Sequence, residues 1–302
     1  MAMKPSGGPS WSPEPASGIL IDFVEAGELT FEVAKAGEGD HLALLMHGFP
    51  ELHYSWRHQI PLLVEMGYRV WAPNMRGYGG TSRPEGVQAY SLDKLVDDIA
   101  ALIDASGAKK VTLFCHDWGG IISWHFAIRK IRPLERFVVM NLPHPLALAR
   151  EAKGWAQKRK SWYVFAFQIP KLPEFFLGRD GARRVGDLIA NTSCNKDRFG
   201  PDVRAIYSAA AARPGALTAM VNYYRALVRG RRFIQVGDGR VEVPTLMVWG
   251  DQDVALSVHG TEGTEQWVPD FTLHRLANAS HWVQQDAPEE VNAILQQWLP
   301  KA

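Results

Sequence analysis

Residues 114–126 read FCHDWGGIISWHF and set an aspartate, Asp117, between a run that suits a buried strand and one that suits a helix. Burying an unpaired carboxylate costs several kcal/mol. Either this junction meets solvent, or Asp117 is there for chemistry. The frame Cys115-His116-Asp117-Trp118-Gly119 puts a small residue two positions to each side of the aspartate. That is the spacing of a nucleophile on a sharp strand-to-helix turn, where strand and helix approach closely. Cys115 as nucleophile would need a small residue at 117, so the thiol fails on spacing. Asp117 as a simple helix N-cap is the competing explanation, and other motifs must decide.

His47-Gly48-Phe49-Pro50 follows the apolar run at 42–46 directly. A loop in that place supplies one N–H of an oxyanion hole, and the residue after the nucleophile supplies the other. The donors would be Phe49 and Trp118. Pro50 has no N–H and shapes the loop, and His47 reads as a structural hydrogen-bonder. Among ten histidines, His281 lies after the last strand-like run and before the last helical one. The order nucleophile, acid, histidine requires a base there. His274 falls within a strand, His116 points away from Asp117, and His144 opens a different segment. The acid should follow the run at 245–250, where Asp251 and Asp253 both qualify and spacing does not choose between them. Asn141 is uncharged and cannot be an ionised orienter. Such a set attacks saturated carbon: a carboxylate is nucleophilic at neutral pH without a base, and a histidine can then activate water against the resulting ester.

These residues need a scaffold that brings loop ends together. Residues 18–37 alternate in two short runs, as a hairpin would. Compact apolar runs at 42–46, 68–73, 110–115, 137–142 and 245–250 suit strands buried on both faces of a parallel sheet. Between them lie helical patterns. One spans 91–107, with Ser91 as N-cap and Gly107 as stop, and another starts near Pro288. Strands alternating with helices predict an α/β, mostly parallel, doubly wound sheet. The rhythm breaks over 144–240, which is aromatic, Arg-rich and helical in period. The expected organisation is a flexible Pro/Ser/Gly-rich tail at 1–17, a core at 18–143 and 241–302, and a helical cap at 144–240 over a mostly apolar pocket.

Composition narrows the function. With 302 residues, 46% hydrophobic, 22% charged and a net charge of +1, the chain is an ordinary globular protein with no basic block for nucleic acid. Two cysteines, Cys115 and Cys194, support neither a disulfide framework nor a thiolate metal site, and no metal or cofactor is expected. The start lacks the basic-then-apolar pattern of a secretory signal, and no run approaches the ~20 apolar residues of a membrane span. The sequon at Asn191 is then a chance match, and a cytoplasmic location is expected.

From about residue 18 to the C-terminus the chain resembles the soluble epoxide hydrolases of the α/β-hydrolase fold. The resemblance is most specific at HGFPE (47–51), YSWR (54–57), MRGYGGTSRP (75–84), HDWGG (116–120), WGDQD (249–253) and SHW (280–282). It implies Asp253 as the acid and His281 as the base. It also implies two lid tyrosines that hydrogen-bond the epoxide oxygen: Tyr163, four residues before Phe167-Gln168-Ile169-Pro170, and Tyr224, within Asn222-Tyr223-Tyr224-Arg225. Tyr223 stands where the family usually has Trp, and Ser280 where Gly usually precedes the histidine; these departures bear on pocket shape more than on chemistry. The implied substrate is a small apolar epoxide, the product a vicinal diol, and the assembly a monomer or homodimer. Haloalkane and haloacetate dehalogenases share the Asp nucleophile, but Phe49 offers no side-chain donor for a halide and HDWGG contains no Arg for a carboxylate. Non-catalytic ligand receptors share the fold too, yet every triad position here is filled.

Overall fold

The computed structural model describes residues 1–230 and 236–302. The alternating runs near the start form the expected hairpin, β1 (Leu20–Ala26) antiparallel to β2 (Leu29–Ala36). The apolar runs become β3 (His41–Met46), β4 (Arg69–Pro73), β5 (Lys110–His116), β6 (Arg136–Met140), β7 (Thr245–Gly250) and β8 (Phe271–Leu276). All eight make one sheet in the order β1-β2-β4-β3-β5-β6-β7-β8, parallel from β4 to β8. Every residue of β3 and β7 is buried, which is why these strands read as continuous apolar runs and not as alternation.

Helices cover both faces. Leu42, Leu44 and Met46 of β3 join the cluster under α2 (Leu92–Ser106) and α3 (Trp118–Ile128). Ala43 and Leu45 join the opposite one, under α1 (Gln59–Glu65) and α11 (Pro288–Trp298). Ser91 takes the N-cap position of α2 with extended backbone but no side-chain cap bond, and Gly107 ends the helix at φ 63°. Between β6 and β7 the described residues form α4 (Pro145–Glu151), α5 (Trp155–Lys160), α6 (Trp162–Ala166), α7 (Leu172–Thr192, broken at Arg179–Ala182), α8 (Pro201–Ala211) and α9 (Ala216–Gly230), with no strand among them. Residues 231–235 of the expected cap lie outside the described residues. A short α10 (Val283–Asp286) precedes α11.

The start of the chain lies against the core. Residues 3–11, read from composition as part of a flexible tail, are bonded to the core. Met3 N–H donates to Glu28 O at 2.8 Å, Ser6 N–H to Gly80 O at 2.9 Å, and Trp11 packs edge-on against Tyr54. Arg213, between α8 and α9, donates to the carbonyls of Gly8 and Pro9. Beneath this segment lies the buried Glu32, which accepts from Ser10 Oγ at 2.9 Å and Asn74 Nδ2 at 2.8 Å. Burial would raise its carboxyl, but His53 and the backbone N–H groups of Ser10 and Gly80 outweigh that and hold it at about 2. No helix among the described residues is long and apolar enough to cross a membrane.

Candidate active site

The site forms where strand ends meet loops. β5 stops at His116 and α3 starts at Trp118, leaving Asp117 alone on the turn at φ 47°, ψ −117°. A non-glycine residue at positive φ costs about 1–3 kcal/mol and persists only where its surroundings impose it. Here close approach imposes it: a Cβ at Gly119 would collide with the Met46 carbonyl, and one at Gly48 with the Asp117 side chain.

Asp117 makes no side-chain cap bond to its helix, so capping does not explain it. Its Oδ1 accepts the Phe49 N–H at 2.7 Å, and its Oδ2 lies 3.6 Å from His281 Nε2. Trp118, the first residue of α3, holds an N–H outside the helical ladder on the same turn. Burial would raise the Asp117 carboxyl, but the His281 interaction outweighs it and leaves the pKa lowered.

His281 lies between β8 and α10, and its Nδ1 is 2.7 Å from Asp253 Oδ2. The other Asp253 oxygen accepts the N–H groups of Ala255 and Leu256 at 2.7 and 2.8 Å. Asp251 turns away, with both oxygens on Arg275. Of the two aspartates that spacing left open, the loop after β7 brings Asp253 to His281. Burial would lower the His281 imidazole, but the carboxylates of Asp253 and Asp117 on its two sides pull it up to about 10.

Asn141, set aside in the sequence as uncharged, proves to be part of this arrangement. Its Nδ2 donates to Asp253 Oδ2 at 2.8 Å, and its Oδ1 accepts the Gly250 N–H at 2.8 Å. The available signal was a polar residue at the end of an apolar strand; its partner became visible only when β6 paired with β7.

The other histidines are structural. His47 Nδ1 donates to Gly48 O while Nε2 accepts the Met75 N–H, and burial lowers its pKa to about 4. His116 points away from Asp117, to Glu51 Oε2 at 2.6 Å and to the His281 carbonyl at 2.8 Å. His144 caps α4 and stacks on Trp267. His274 lies within β8.

Tyr163 on α6 and Tyr224 on α9 come together edge-to-face, with ring centroids 5.8 Å apart. Burial above all raises the pKa of both phenols, and the nearby Asp117 carboxylate adds to the shift. They are therefore protonated donors at neutral pH. Tyr223 goes elsewhere: its hydroxyl donates to Arg76 O at 2.7 Å. Both Tyr163 and Tyr224 line a mostly apolar cavity of about 400 Å³ with Asp117, Trp118 and Leu256. Among the described residues, no group of three or more His, Cys, Asp or Glu is placed to hold a metal ion.

A mostly parallel sheet, a strained carboxylate on the turn after β5 and an acid–histidine pair on later loops define a class. The family model described as alpha/beta hydrolase fold matches residues 44–288, and the chain belongs to that family. Within it, the chain is 38% identical to Epoxide hydrolase 4 of Homo sapiens, over 94% of this chain and 76% of that one. It is 37% identical to AB hydrolase superfamily protein YfhM of Bacillus subtilis, over 93% and 98%. A solved structure of Bacillus megaterium epoxide hydrolase in complex with an inhibitor superposes with a TM-score of 0.83 at 28% identity, covering 91% of this chain and 99% of that one.

Proposed function

We propose that the protein is an epoxide hydrolase in which Asp117 is the nucleophile, His281 and Asp253 activate water, and Tyr163 and Tyr224 protonate the epoxide oxygen. The observation that carries this reading is a pair of protonated phenols lining one apolar cavity with a carboxylate. An epoxide opens to an alkoxide, which needs a proton donor; a phenol remains more acidic than the alcohol that forms, even with its pKa raised by burial, and suits that role.

In the first half, Asp117 Oδ2 bonds to an epoxide carbon, the ring C–O bond breaks, and the oxygen is protonated. Resting His281, with its pKa near 10, carries a proton, and the proton count closes if it leaves this half neutral. Ester formation removes the charge on Asp117, one of the two carboxylates holding that proton, so His281 becomes a base when a base is needed. In the second half His281 takes a proton from water, whose oxygen adds to the ester carbon. Oδ1 carries the negative charge against the Phe49 and Trp118 N–H donors, an effect worth ~3–4 kcal/mol per donor in other enzymes. Collapse breaks the Cγ–Oδ2 bond, and the remaining proton of the added water passes to Oδ2 as the diol leaves. Asp117 is left a carboxylate with one oxygen from water, while His281 is again protonated.

Dehalogenation with the same nucleophile is the second reading. A halide leaves without a proton but needs N–H donors, and Phe49, packed edge-on against Tyr224 beside Asp117, offers no side-chain donor. The phenol pair thus favours the epoxide. Our reading further takes 144–240 as the cap, a small apolar epoxide as substrate and a cytoplasmic monomer or homodimer as the working form. The two free thiols support a cytoplasmic setting. A turnover panel of styrene, aliphatic and trans-disubstituted epoxides beside haloacetates and haloalkanes tests the assignment. Diol from at least one epoxide and no halide release is expected; halide release without diol would transfer the protein to the dehalogenases. Absence of any turnover would instead favour a ligand receptor.

A further inference from the structure

The outer surface of the cap carries a feature that the reaction does not use. Along residues 155–176, Trp155, Trp162, Phe165, Phe175 and Phe176 are between 46% and 80% exposed. Single exposed apolar residues are ordinary, but large aromatics gathered on one segment mark an interaction surface. The same segment is basic. Residues 151–184 hold eight Lys and Arg against three Asp and Glu, a net +5 in a chain whose total is +1, so the remainder carries −4. Pairing reduces both signs. Glu174 pairs with Arg225 and Glu151 with Arg150, while Lys160 turns inward to the carbonyls of Asp253 and Leu256 and Arg183 pairs with Asp187. That leaves Lys153, Lys158, Arg159, Lys171, Arg179 and Arg184 against Asp180. The cations sit among the rings: Lys158 Nζ is 5.7 Å from the Trp155 ring, Arg179 5.8 Å from Phe175, and Arg184 5.9 Å from Phe176.

Aromatic rings interleaved with Lys and Arg suit the boundary of a lipid bilayer. The rings settle at headgroup depth, and the long cationic side chains reach the phosphates. The centre of a protein–protein interface, by contrast, is depleted of charge and of Lys in particular. Position adds a second argument. Lys158, Ser161 and Phe165 of this segment also line the cavity that holds Asp117, so the aromatic surface and the cavity wall are the same stretch of chain. We propose that this face of the cap docks on an anionic phospholipid surface, from which an apolar substrate passes into the cavity. Docking itself is independent of the reaction; the passage of substrate rests on the epoxide reading.

Vesicle flotation of the full chain tests it. The protein should float with vesicles of phosphatidylcholine mixed with phosphatidylglycerol, stay behind with phosphatidylcholine alone, and detach as salt rises. Two paired variants avoid the cavity: Trp155→Ser with Trp162→Ser, and Lys153→Glu with Arg159→Glu. Each should weaken partitioning about tenfold or more while turnover of a water-soluble epoxide stays unchanged. No flotation on the anionic vesicles would overturn the proposal, as would flotation that neither variant weakens. Sedimentation showing a dimer that only the Trp pair disrupts, without lipid binding, would assign the face to a second copy of the chain. If no epoxide is turned over yet flotation follows the stated pattern, the docking stands and the reaction assignment fails.

Discussion

His281→Gln is expected to stop the enzyme as a covalent ester on Asp117. The Asp117 carboxylate needs no base to attack, so ring opening proceeds, although without the imidazolium proton it slows. Gln cannot accept a proton from water, and losing a general base costs on the order of 10⁴-fold. Turnover should therefore collapse while the peptide containing Asp117 gains the mass of one epoxide. Full activity with no adduct would remove His281 from the role of base. The aspartates serve as controls. Asp253→Asn should behave like His281→Gln but less severely, because the imidazole loses the carboxylate 2.7 Å from its Nδ1. Asp251→Asn should be much milder, since that side chain faces Arg275.

Removing both lid phenols is expected to be nearly as damaging, but in the other half of the reaction. With Tyr163→Phe alone, Tyr224 still donates to the developing alkoxide, and the loss should be about tenfold; the reverse single variant should match it. With both replaced, the alkoxide forms in an apolar cavity with no donor, and alkylation should slow by more than about 10³-fold. Rapid mixing separates the steps: the double variant should fail to form the ester, whereas His281→Gln forms it and cannot hydrolyse it. Tyr223→Phe should leave ring opening intact and act only on stability, since its hydroxyl is spent on the Arg76 carbonyl. A double variant with the rate of the unmodified protein would contradict the epoxide assignment.

How much of this was legible in the sequence follows from where each partner lies. The strands could be read because strands buried on both faces must be continuously apolar, as β3 and β7 are. The place of Asp117 on the strand-to-helix turn could be read because a sharp turn demands small flanking residues, and those demands are local. Asp251 and Asp253 could not be separated by spacing, because the deciding contacts, Arg275 and His281, come from distant loops. Asn141 stayed hidden for the same reason: its hydrogen bonds reach across to Gly250 and Asp253. At the start of the chain, Pro, Ser and Gly suggested mobility. The same short side chains let the backbone lie close to Gly80 and within reach of Arg213, contacts no local pattern reveals.

The central claim is that an oxygen of Asp117, and not of water, enters the product first. A single turnover in heavy-oxygen water, with enzyme in excess over epoxide, tests it directly. Attack by Oδ2 followed by hydrolysis at the ester carbon predicts unlabelled diol and one heavy oxygen in the peptide containing Asp117. Label in the diol from that first turnover, with Asp117 unlabelled, would mean that water attacks the epoxide itself and would contradict the account.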